Sequence, residues 1–193
     1  QIHGMLATRE IPFVLRDYQQ AAILQSLESL GREDILIDKS RETGVTWMWI
    51  AIACWDWLFN GQTHIGFVSK DQPSVDSPLD PDSLFSKFEF LLRRLPAWMK
   101  PKNERKLAEH TWKNLDNDST LTGYAATASV ARGGRKRWML FDEFHSFPAG
   151  DDQAALDSSS AVTHSRVFIS TPNRSRGPSG AYYDLLCDDT KKR

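Results

Sequence analysis

Three short stretches of the chain carry side chains suited to phosphate chemistry. The first is "KSRETGVT", residues 39 to 46, a polar turn between an apolar strand pattern and an apolar helix pattern. The standard phosphate loop, G-x-x-x-x-G-K-[ST], holds phosphate oxygens on backbone N–H groups at a helix N-terminus. Its Lys adds a point charge and its hydroxyl meets Mg²⁺. Here the spacing is kept, but Ser40 replaces the first Gly and Val45 stands where the Lys would be, while Gly44 and Thr46 are in place. Backbone donors do not depend on side chains and survive such changes. The missing charge can return from Lys39, one residue ahead of the loop, or from Arg41 within it. The same letters also suit an ordinary strand-to-helix turn with a capping Thr.

The second stretch is "WMLFDEF", in which four apolar residues run into Asp142 and Glu143. A carboxylate at the end of a buried strand can hold Mg²⁺, and a second beside it can polarise an attacking water. Successive strand side chains face opposite ways, so both acids reach one site only if the strand ends there. The third stretch is "FISTPN", where Ser170, Thr171 and Asn173 close an apolar run with short polar side chains able to sense a phosphate. Strand ends are often acidic, and Pro-Asn suits a plain β-turn. It is the three stretches in this order that point to a nucleotide site.

The elements that must position them follow from periodicity. "RDYQQAAILQSLESLG" spaces Tyr18, Ala21, Ala22, Leu24, Leu27 and Leu30 as a helix that stops at Gly31. "DILID" (34 to 38) reads as a short buried strand, and the run after the loop as a helix apolar nearly all round, lying between other layers. "THIGFVS" (63 to 69) is a second strand, followed by a Pro- and Asp-rich loop. Pro81 is placed to open a helix bearing Leu84, Phe85, Phe88, Leu91, Leu92 and Leu95 on one face. Residues 100 to 127 are polar and suit a hairpin. "RWMLFD" (137 to 142) and "SRVFIST" (165 to 171) are further strands, with loop and helix between them. Strands alternating with helices predict an α/β fold with a mainly parallel central sheet flanked by helices. Asp38, Asp142 and Thr171 then share the carboxyl edge of the sheet, where such folds bind ligands.

At 193 residues the chain suits a single domain (1–193), and 40% hydrophobic with 25% charged residues marks it as globular. A formal net charge of -1 leaves any nucleic-acid contact to a local basic patch. Cys54 and Cys187 are too few for a disulfide framework. The longest apolar run, Val45 to Phe59, is interrupted and too short to cross a bilayer, so no membrane partner is expected.

With these residues in hand the sequence resembles the ATPase domain of the large terminase subunit of tailed bacteriophages, the motor that pumps DNA into a procapsid. Several members carry a loop of the form K-S-[AR]-x-x-G-x-[ST], which "KSRETGVT" fits letter for letter, so that Lys39 takes over from the missing loop Lys. "MLFDE" fits the hydrophobic-DE motif and "STPN" the coupling motif. The resemblance runs from about Arg16 to Tyr183. It implies a P-loop NTPase of the RecA-like (ASCE) type, with ATP and Mg²⁺ as ligands.

By position, Lys39, Ser40, Arg41, Glu42, Thr43, Gly44, Val45 and Thr46 would form the nucleotide loop, with Arg41 a phosphate sensor. Thr46 and Asp142 would hold the metal, Glu143 would be the catalytic base, and Ser170, Thr171 and Asn173 would couple hydrolysis to movement. Gln19, 20 positions before Lys39, would read adenine through its amide; the alternative is a solvated helix Gln. "ARGGRKRW" offers Arg132, ahead of Arg135, as the arginine a neighbouring subunit inserts. The implied partners are double-stranded DNA, a procapsid portal protein, a small terminase subunit and further copies in a ring, with the isolated domain a monomer in the host cytoplasm. Residues 1–33 would form an adenine-side segment, 34–187 the core, and 188–193 the start of a linker to a nuclease domain absent here. Lys100, Lys102, Arg105, Lys106 and the 132 to 137 loop are basic candidates for DNA. A DExH-type helicase core or a non-hydrolysing nucleotide-binding assembly module are the competing readings.

Overall fold

The computed structural model describes residues 14–108, 110–127, 134–172 and 177–187. Among them are strands β1 (Ile35–Asp38), β2 (His64–Ser69), β3 (Glu104–Ala108), β4 (Thr111–Asn114), β5 (Ser119–Ala125), β6 (Trp138–Asp142) and β7 (Arg166–Ser170). The helices are α1 (Asp17–Ser29), α2 (Val45–Phe59), α3 (Gln72–Val75), α4 (Leu84–Arg94), α5 (Asp151–Ser160) and α6 (Ala181–Cys187). They build a seven-stranded sheet in the order β1-β7-β6-β2-β5-β4-β3. The first five strands run parallel, and β4 and β3 extend the sheet antiparallel.

The strand period of two explains why helices cover both faces. On β6, Trp138 and Leu140 join a core with α2, α4, Phe67 of β2 and Ile169 of β7. Met139 and Phe141, pointing the other way, join a second core with Phe144, Phe147, Ala155 of α5 and Tyr182 of α6. Buried Asp56 pins α2 to β6, accepting from Trp138 Nε1 at 2.7 Å and pairing with Arg137 Nε at 3.2 Å. On β5, Gly123 allows α3 and α4 to approach closely. A Cβ there would stand 2.4 Å from Val75 and 2.6 Å from Phe85.

The structure corrects several expectations. β1 is not a fully buried strand; it is only half-buried and stands at the edge of the sheet, since among the described residues β7 alone pairs with it. α2 is not covered all round, because the sheet, α4 and α1 leave Trp55 and Phe59 about half exposed. α4 opens at Leu84 rather than Pro81, because the Ser83 hydroxyl caps it by accepting from the Ser86 N–H. The loop after β2 contains α3, whose first turn is capped by Asp71. Residues 100 to 127 hold the β3–β4 hairpin and also β5, which pairs in parallel with β2. α6 was not anticipated.

Candidate functional site

The parallel strands end together, and an open cleft of about 1080 Å³ lies beyond them. Its lining includes Asp38 to Glu42, Lys70 after β2, Glu143 and Ser146 after β6, and Thr171 and Pro172 after β7. These are the strand ends that the sequence pattern pointed to.

The 39 to 44 segment leaves β1 through a hydrogen bond from the Lys39 N–H to the Ser170 carbonyl, 3.0 Å. Glu42 and Gly44 then adopt left-handed backbone, φ 62 and 72, and Gly44 is the N-cap of α2. Such turns aim successive N–H groups outward. Among the described residues no acceptor meets the N–H of Ser40, Arg41, Glu42 or Gly44. The loop thus presents donors at the N-terminus of a 15-residue helix, where the dipole also favours an anion. The loop is braced from within by Thr43 Oγ1 donating to the Ser40 carbonyl. From outside, Tyr18 OH (3.2 Å) and Gln19 Nε2 (2.7 Å) both donate to the Thr43 carbonyl.

Gln19 is buried, which removes the solvated-helix alternative. Its Oε1 accepts from the Arg16 N–H, so both ends of the amide are used, one on the start of α1 and one on the loop. Val45 is a core residue and brings no polar group to the cleft.

Lys39 and Glu143 meet directly, Nζ to Oε1 at 2.7 Å. The Lys39 ammonium also donates to Thr171 Oγ1 (3.3 Å), and the Thr171 N–H donates to Glu143 Oε2 (3.4 Å). The loop lysine, the residue after β6 and the residue after β7 therefore meet at one ion pair. Glu143 reaches it because its backbone is left-handed, φ 52 and ψ 43, turning its carboxylate back over the strand end. For a non-Gly residue this conformation costs about 1–3 kcal/mol.

Asp142, the last residue of β6, points to the other side and accepts from Thr46 Oγ1 at 3.0 Å. Its carboxyl is pushed up to about 6 by burial first and then by the neighbouring Glu143; Lys39, the Thr46 hydroxyl and Lys87 pull it down. A buried carboxylate beside a hydroxyl gives two hard oxygens that fit a Mg²⁺ ion, whose charge would offset what burial and Glu143 cost. Among the described residues no group of three or more His, Cys, Asp or Glu side chains could hold a metal.

Ser170 is buried, and its hydroxyl accepts from the His145 N–H at 3.0 Å, joining β7 to the turn after Glu143. Arg41 is exposed along the cleft wall. Arg132 and Asn173 lie outside the described residues. The sequence reading put Asp38 on the ligand edge without giving it a role, and it passed over Lys70, Ser146 and Tyr182. Lys70 had a usable signal, as the first residue past a parallel strand.

Three solved structures share this arrangement of strands and helices. The HK97 bacteriophage large terminase superposes with a TM-score of 0.63 at 14% identity, over 83% of this chain and 34% of that one. The large terminase ATPase domain of Thermus phage P74-26 gives 0.59 at 15% identity, over 82% and 66%. The fold is that of a terminase ATPase domain. A third terminase-fold structure, the large terminase of a thermophilic bacteriophage in complex with ADP, gives 0.62 at 15% identity over 90% and 43%. The chain spans about a third of the length of the HK97 large terminase. No protein-family model and no curated protein matches the sequence. No helix among the described residues is long and apolar enough to cross a membrane.

Proposed function

We propose that the chain is an ATP-hydrolysing motor domain of the terminase kind, working on double-stranded DNA. The observation that carries this reading is the Lys39–Glu143 pair in a cleft edged by the loop, with the buried Thr46–Asp142 pair one residue behind Glu143.

In this reading the triphosphate of ATP lies on the loop N–H groups, and Lys39 supplies the charge that Val45 does not. Thr46 and Asp142 would hold Mg²⁺, which supplies Lewis-acid neutralisation of phosphate oxygens when bound. Lys39 cannot serve the triphosphate and Glu143 at full strength together. Nucleotide arrival therefore loosens the 2.7 Å pair and frees Glu143 to take a proton from the attacking water. Thr171 loses its contacts to both partners in the same event, which offers β7 a readout of the nucleotide state. Arg41 would face the phosphates from the cleft wall. Gln19 holds the loop at Thr43, and reading adenine would require its amide to exchange at least one protein partner.

Terminase-fold neighbours and the loop form support the wider assignment: a ring of copies with Arg132 inserted from a neighbour, and a portal protein and a small subunit as partners in the host cytoplasm. Asn173 would act with Ser170 and Thr171 in coupling. Against a non-hydrolysing module stands the Glu143 carboxylate itself, carried to the cleft beside Lys39 and Thr171.

The test is steady-state phosphate release with Mg²⁺ and ATP. Glu143→Gln should lower turnover by about 10²- to 10⁴-fold, the usual worth of a general base, while ATP binding persists. Equal turnover in both proteins would refute the assignment.

A further inference from the structure

The cleft lining poses an electrostatic problem that the roles above leave open. Three cations, Lys39, Arg41 and Lys70, face three carboxylates, Asp38, Glu42 and Glu143, so the lining is not cationic in sum. An approaching polyanion meets less repulsion from carboxylates that already have partners in the nucleotide-free protein. Glu143 is held by Lys39, and Glu42 is exposed to solvent on the loop. Asp38 stands directly before Lys39, at the leading edge of the loop.

Its partner comes from the far end of the chain. The Tyr182 hydroxyl of α6 donates to Asp38 Oδ1 at 3.0 Å and lies 3.5 Å from the Ser170 carbonyl, the same carbonyl that receives the Lys39 N–H. Tyr182 is 1% exposed, so one oxygen of the exposed Asp38 carboxylate is tied to a buried donor. The ring is locked on two sides, stacked on His145 with centroids 5.2 Å apart and edge-on to Phe144 at 6.4 Å. The start of α6 is fixed as well, since the Ala181 N–H donates to Asp152 Oδ2 of α5 at 2.8 Å. The phenol is held well above its ordinary range by burial first and then by Asp38, so it remains a protonated donor at any working pH.

We propose that Tyr182 is a positioning residue for the nucleotide loop, holding the Asp38 carboxylate on the strand end and out of the path of the polyphosphate. This rests on the ATP-binding reading of the cleft. Tyr182 touches neither nucleotide nor metal; it acts through Asp38 and through the Lys39–Ser170 backbone bond beside it. Its effect therefore falls on ground-state binding more than on the chemical step. It also gives α6, which follows the coupling strand, a direct hold on the loop.

The experiment is a double-mutant cycle of Tyr182→Phe and Asp38→Asn, read by titration of fluorescently labelled ATP with Mg²⁺ and by urea unfolding without nucleotide. Tyr182→Phe keeps the ring and should weaken binding about tenfold, the worth of a hydrogen bond to a charged group. Turnover at saturation should stay within about twofold, a binding effect without a rate effect. Asp38→Asn should bind at least as tightly as wild type. Tyr182→Phe in the Asp38→Asn background should have no further effect on binding.

The unfolding cycle should show the two sites coupled even without nucleotide. Equal weakening by Tyr182→Phe in both backgrounds would overturn the proposal, because the tyrosine would then act by packing alone. Additive unfolding energies would overturn it too, since the bond would not form in solution. Wild-type protein that binds no ATP would overturn the functional reading and this inference with it, whereas ATP binding by wild type with an additive cycle overturns the inference alone.

Discussion

Replacing Asp142 by Asn should change how stability depends on pH, in a direction and by an amount the structure specifies. In the fold this carboxyl sits at about 6, against an ordinary value of 3.8, because it is buried and has Glu143 beside it. The folded chain thus binds the proton more tightly than the unfolded one. The resulting stability is fully present below the unfolded value and is lost as pH rises through the folded one. Two pH units of separation correspond to about 3 kcal/mol lost between pH 4 and pH 6 in the metal-free protein.

Other carboxylates push the opposite way. Asp116, held low first by the Asn103 side chain and then by the Lys102 N–H, contributes stability that appears as pH rises. A raw pH profile mixes these, so the readout is the difference between wild type and Asp142→Asn in urea unfolding from pH 4 to pH 8. Asn still accepts from Thr46 but carries no charge. The variant should match wild type near pH 4 and exceed it by up to about 3 kcal/mol above pH 6. Mg²⁺ with ATP should shrink the gap at pH 7 by stabilising wild type only. A difference that stays flat across this range would refute the argument.

Two further perturbations test the supports of the site. Gln19→Ala removes the donor to the Thr43 carbonyl and the acceptor for the Arg16 N–H at the start of α1, and should cost about 1–3 kcal/mol in urea unfolding, with a raised KM for ATP. Unchanged stability and KM would show that the loop needs no brace from α1. Gly123→Ala forces a Cβ against Val75 and Phe85 and should lower stability by about 1–3 kcal/mol or more, measured by thermal unfolding.

What could be read from sequence was what depends on local pattern. Strand alternation and helix spacing located β1, β2, β6 and β7, and the rule that ligands sit at parallel strand ends put Asp38, Asp142 and Thr171 on one edge. The ion pair between Lys39 and Glu143 was not legible, because the residues stand 104 positions apart and the pair depends on a left-handed backbone at Glu143. Nothing in the letters "DEF" announces that conformation, although the requirement that both acids reach one site posed the problem it solves. β1 looked like a buried strand because Ile35, Leu36 and Ile37 are apolar; its place at the sheet edge is a matter of strand order, which composition does not encode. Tyr182 was invisible for the same reason as Glu143, since its partner Asp38 lies 144 positions away.

The claim on which the rest stands is that Lys39, at the front of the loop, does the work of the lysine that Val45 replaced. The most direct measurement is titration of ATP, with Mg²⁺, onto wild type and Lys39→Ala, followed by turnover at saturation. Loss of a charge-assisted contact worth about 1.5–3 kcal/mol predicts affinity lower by about 10- to 100-fold, with turnover reduced as well. Affinity and turnover equal to wild type would contradict the account.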